Sequence, residues 1–103
     1  MKEYRKLTEE EIRILEERSC WAEEWANIHV AEGFKPNYMH RVMLYGEVYI
    51  GAFDDTIEVS RDFFKHSGIN NATLRNVTIG DNSLVENIGN YINNYTIGDR
   101  CYI

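Results

Sequence analysis

The sequence predicts a mainly β protein, a parallel β-helix of about three coils preceded by an N-terminal capping α-helix. Three observations predict it. The phrase Thr78-Ile79-Gly80-Asp81 returns 18 residues later as Thr96-Ile97-Gly98-Asp99, with Asn76 over Asn94, Leu74 over Ile92 and Val85 over Ile103. A six-residue beat runs beneath it through Ser67, Thr73, Ile79, Val85, Tyr91, Ile97 and Ile103, with mostly small or apolar residues (Asn71, Val77, Ser83, Gly89, Tyr95, Cys101) four places after each. Gly80 and Gly98 follow the beat residue where backbones crowd, and Asn70, Asn76, Asn82 and Asn94 fall where tight corners favour a left-handed backbone. In such a solenoid each hexad supplies one strand and one corner, and beat residues stack about 4.8 Å apart in the core.

The elements follow in chain order. Thr8-Glu9-Glu10-Glu11 is a capping box, in which the Thr8 hydroxyl and the Glu11 carboxylate satisfy free amides at a helix start. The helical period then holds to about Ala26, with Ile12, Leu15, Ser19, Ala22 and Ala26 on one stripe. Such a half-apolar helix covers the open first coil. The rival reading is a partner-binding helix that exposes Trp21 and Trp25. A turn at Gly33-Phe34-Lys35-Pro36-Asn37 leads to strand-like alternation in Arg41–Tyr45 and Glu47–Gly51. Residues 1–40 are thus a cap and connector, and residues 41–103 the solenoid. Ile50 and Ile79 lie 29 residues apart, eleven more than one 18-residue coil, so one coil carries an insertion between Asp54 and His66. Ile57 and Val59 facing Phe63 and Phe64 across Ser60-Arg61-Asp62 would make it a projecting hairpin.

Composition narrows the function. A net charge of −6 argues against a nucleic-acid partner. No apolar run approaches the roughly 20 residues of a membrane helix, and no secretion signal opens the chain, which points to the cytoplasm. Cys20 and Cys101 sit in unlike settings and read as reduced fillers. Three Asn-x-Thr triplets, at Asn71, Asn76 and Asn94, spell glycosylation acceptors, which without a secretion signal are by-products of the corner pattern. His29, His40 and His66 are spread over 37 residues and form no metal-ligand spacing with Cys20, so no metal is expected.

The hexad register and the run Ser67-Gly68-Ile69-Asn70-Asn71-Ala72 through Ile103 resemble the hexapeptide-repeat left-handed β-helix superfamily, and most nearly the N-terminal part of long bacterial members of unknown function. The resemblance implies a left-handed coil and a parent chain that is an acyl- or nucleotidyl-transferase acting on a sugar nucleotide or similar acceptor. Coenzyme A or a sugar nucleotide is the cofactor implied by the resemblance alone. His66, beside the inserted hairpin, is the candidate catalytic residue, since an imidazole can take a proton from an acceptor hydroxyl near neutral pH. The bland reading of His66 is a surface histidine. Residues 67–103 offer a phosphate only Arg75 and Arg100, so a donor site is expected beyond Ile103 or at a subunit seam. Ile103 falls on a beat position, and an open β edge there implies an N-terminal fragment, inactive alone, that self-associates end to end or as a side-by-side trimer. The alternative is a non-catalytic β-helical scaffold or assembly protein.

Overall fold

The helix begins where its capping box lies and ends earlier than its period suggests. In the computed structural model, which describes residues 3–88 and 92–103, the Thr8 hydroxyl accepts the Glu11 N–H at 3.1 Å and Glu11 Oε1 accepts the Thr8 N–H at 2.9 Å. Helix α1 spans Glu9–Glu17 and buries Leu15. Ser19 then takes a left-handed φ of 65°, the Ser19 N–H donates to the Glu16 carbonyl and the Cys20 N–H to that of Leu15. That pair of bonds is a Schellman ending, usually built on glycine. The stretch expected to continue as helix to Ala26 leaves as a strand instead, with Trp21 exposed and Ala22 buried.

Twelve strands follow in chain order among the described residues: β1 (Tyr4–Lys6), β2 (Trp21–Ala22), β3 (Ile28–Ala31), β4 (Met39–Tyr45), β5 (Val48–Ile50), β6 (Thr56–Ser60), β7 (Phe63–His66), β8 (Gly68–Arg75), β9 (Thr78–Ile79), β10 (Leu84–Glu86), β11 (Ile92–Asn93) and β12 (Thr96–Ile97). One five-stranded sheet has the order β1-β3-β5-β9-β12. A second runs β10-β8-β4-β2, with β11 also paired to β8, and β6-β7 stand apart as a two-stranded ribbon. The repeated phrase pairs with itself, Thr78 with Thr96 and Ile79 with Ile97, in parallel. Val30, Ile50, Ile79 and Ile97 therefore stack as one buried row across four strands. Strands β2 and β3 pair in parallel with β4 and β5, so residues 21–31 join the sheets built by the later chain.

The left-handed parallel β-helix is not what these sheets make. Parallel and antiparallel pairings are mixed: β1 lies antiparallel on β3, and β6 and β7 form their own antiparallel sheet. Strands β4 and β8 run seven and eight residues, longer than one hexad. Within β8 the period of two takes over, burying Ala72 and Leu74 while the beat residue Thr73 stays half-exposed. Tyr95 and Ile103, expected inside, are exposed, while Gly89 and Tyr91 lie outside the described residues. The corners shift as well. Asn76, Asn82 and Asn94 are left-handed as expected, but Asn71 takes the place of Asn70, and Asn87 and Arg100 join them.

Close backbone approach explains one glycine. A Cβ on Gly80 would lie 2.5 Å from the carbonyl carbon of Gly98 on the neighbouring layer. The expected hairpin is present, with Ile57 opposite Lys65, Glu58 opposite Phe64 and Asp62 left-handed in its turn. Its base is tied by Arg100, whose Nη2 donates to Asp55 Oδ2 at 2.9 Å. This ribbon, the 3-10 turn Pro36–Tyr38 and strands β8 and β10 surround the cleft described next.

Candidate functional site

Proline fixes one wall. Pro36 opens the turn that carries Tyr38, and a Cβ on Gly68 would overlap the Tyr38 carbonyl oxygen, so β8 can approach that turn closely only with glycine there. The Tyr38 ring lies face to face with the His66 ring, centroids 3.7 Å apart and planes within 7°. His66 and its neighbours Lys65 and Ser67 reach the same place from the end of β7. Together with Arg18, Asn37, Asn70, Leu84 and Glu86 they line a cleft of about 330 Å³.

Hydrogen bonds fix the imidazole. His66 Nδ1 lies 2.8 Å from the Ser67 carbonyl oxygen. A carbonyl can only accept, so Nδ1 carries the proton, and in the neutral ring Nε2 keeps a lone pair. A base oriented through its other nitrogen is the arrangement that proton transfer needs. A backbone carbonyl does the orienting here. The nearby Asp55 carboxylate is held by Arg100, and that hydrogen bond, with a second from the Thr56 N–H, keeps its carboxyl below the usual range.

The charges around the ring are unequal. Lys65 Nζ pairs with Glu86 Oε1 at 3.0 Å, and the Tyr102 hydroxyl donates to the same oxygen at 3.3 Å. Arg18 Nε donates to the Met39 carbonyl at 2.7 Å. Ser67 is fully buried, and its Oγ has no hydrogen-bond partner among the described residues. A buried hydroxyl left unpaired is uncommon in folded proteins.

Of the candidate site residues singled out by sequence, only His66 reaches this cleft. His29 stacks on Tyr49 and pairs with Glu47 at 2.8 Å, and His40 is exposed on β4. No three metal-ligating side chains converge among the described residues. Cys20 and Cys101 are free, and burial pushes the Cys20 thiol up. Trp21 is exposed, on β2 and not on a helix. Arg75 is exposed on β8, and Arg100 is engaged with Asp55. Sequence reasoning missed Arg18, Tyr38 and Glu86. The one available signal was Lys65 beside His66 at the end of the insertion.

Fold and site define a mainly β domain with a polar, imidazole-bearing cleft. The chain matches, over residues 4–103, the family described as "Domain of unknown function (DUF4954)", and it belongs to that family. It is also 27% identical over 97 residues to an uncharacterized protein of Treponema pallidum (strain Nichols), a match that covers 94% of this chain and 13% of that protein. The chain thus spans about one eighth of the length of the curated relative it matches. No solved structure matches. These findings replace the expected membership of the hexapeptide-repeat superfamily, since the matching family is a different one and no acyltransferase family appears. No helix among the described residues is long and apolar enough to cross a membrane.

Proposed function

We propose that this domain recognises a small hydroxylated molecule in the Tyr38–His66 cleft. Within a longer chain it would present that molecule as the acceptor for acyl or nucleotidyl transfer. The observation that carries the reading is the 2.8 Å contact that commits the His66 Nδ1 proton to the Ser67 carbonyl and leaves Nε2 to receive a hydroxyl. Tyr38 supplies an aromatic wall, and Glu86, with its second carboxylate oxygen, supplies an acceptor beside it. On this reading the chain alone binds without turning over. A reducing cytoplasmic setting suits its two free cysteines.

Saturation-transfer NMR on the purified chain tests this with a panel of monosaccharides, sugar phosphates and sugar nucleotides. At least one class should show contacts that vanish in His66→Gln and in Tyr38→Leu. If no class shows contacts, or if they persist in both variants, the reading falls.

A second reading, an assembly scaffold, draws on one observation: Tyr95, next to β12, and Tyr102 and Ile103, next to β10, are exposed. Self-association through these side chains is the expected outcome, and light scattering over a concentration series reads it. A monomer at every concentration removes this reading.

A further inference from the structure

The cleft is electrostatically lopsided in a chain that is acidic overall. Lys65 is neutralised by Glu86 at 3.0 Å. Arg18 is not neutralised, since its Nε meets only the uncharged Met39 carbonyl, and no ion pair to it exists among the described residues. Its position is nonetheless fixed. The Arg18 N–H donates to the Ile14 and Leu15 carbonyls at 3.1 and 3.0 Å, and its own carbonyl accepts the Arg41 N–H at 3.1 Å. A guanidinium anchored through Nε still offers both Nη nitrogens, a fork that matches the oxygens of a carboxylate or phosphate. On a chain of net charge −6, an anchored cation lining a cleft marks where an anion is wanted.

We infer that the ligand of this cleft is a small hydroxylated oxyanion, its carboxylate or phosphate on the Arg18 Nη atoms and its hydroxyl on His66 Nε2. The inference rests on the recognition reading above and narrows it. A volume of about 330 Å³ lies at the small end of ligand sites, which suits a sugar phosphate or sugar acid better than a whole sugar nucleotide. The unpaired Ser67 hydroxyl, in the residue whose carbonyl orients His66, is a further polar group that a ligand-bound rearrangement could satisfy.

Calorimetric titration of the intact chain with glucose 6-phosphate, glucuronate and glucose tests the inference, with inorganic phosphate as competitor. At least one anion should bind about tenfold more tightly than glucose, and added phosphate should displace it. The tighter of the two anions tells phosphate from carboxylate. Arg18→Met should abolish the preference, read as the ratio of anion to glucose affinity, and Arg18→Lys should keep part of it. Circular dichroism checks that both variants fold; if either does not, the ratio of anion to glucose affinity on the native chain decides. Glucose binding as tightly as both anions overturns this inference and leaves the recognition reading standing. An unchanged anion preference in folded Arg18→Met also overturns it. Failure of all three ligands removes the inference and counts against the recognition reading as well.

Discussion

Asp99 accepts the backbone N–H of Asp81 on its Oδ1 at 2.7 Å, across 18 residues of chain. Asp81 makes the same contact one layer back, taking the Ala52 N–H at 2.9 Å. Two asparagines work alike: Asn76 Oδ1 accepts from Glu47 at 3.0 Å and Asn82 Oδ1 from Asp54 at 2.8 Å. These amides lie between strands, where no ladder partner is at hand, and the side-chain oxygens supply the acceptor that each backbone N–H would otherwise find in water. The repeated phrase is thus more than a packing unit, since its last residue fastens each layer to the one before.

Removing one fastener should be measurable. Asp81→Ala leaves the Ala52 amide without its acceptor and should cost about 1–2 kcal/mol in urea unfolding. Asp81→Asn keeps an oxygen in place and should cost distinctly less. Equal losses for the two variants would show that charge, and not the hydrogen bond, is what matters there.

The glycines of the two copies should part company. Gly80→Ala drives a methyl to 2.5 Å from the Gly98 backbone, and overpacking of that kind costs about 1–3 kcal/mol. In Gly98→Ala the nearest atom is Cys101 Sγ at 3.7 Å, an ordinary contact, so stability should change by less than about 0.5 kcal/mol. Thermal melts of the two variants side by side give the comparison. Matching melting temperatures would mean that the layers are further apart than described here.

Acid should weaken the N-terminal helix start. The Arg5 guanidinium, hydrogen-bonded to Glu11 at 2.8 Å, holds the Glu11 carboxyl below its ordinary 4.5, and the Thr8 amide adds to the effect. The unfolded chain therefore binds the proton first. The contribution is fully present above the unfolded value and is lost as pH falls from there through the folded one. Glu11→Gln keeps the capping geometry without the charge, so its stability should fall less steeply than the parent's between about pH 5 and 3. Parallel slopes in urea midpoints over that range would exclude the pairing.

What the sequence discloses here depends on how local the cause is. Thr8 and Glu11 lie within one helical turn, so their box is legible from four residues. The pairing of Ile79 with Ile97 is legible because identical side chains recur at a fixed step. The Ser19 ending was hidden, since serine rarely takes the role of a C-terminal glycine. Periodicity also says which residues face inward without saying how sheets close, and that is where the β-helix expectation failed. The left-handed residue inside β8 is Asn71 and not Asn70, opposite the left-handed Arg41 of β4, and the pairing of the two strands resumes at Ala72. The cleft was the least legible part. Arg18, Tyr38, His66 and Glu86 come from four distant segments, and their meeting is a property of the fold alone.

Strand β1 carries a further consequence. It closes one side of its sheet in the reverse direction, and it presents Arg5 and Lys6 at that border. Arg5 is paired to Glu11 there and Lys6 is exposed, and charged side chains along a sheet border discourage a further strand from adding to it.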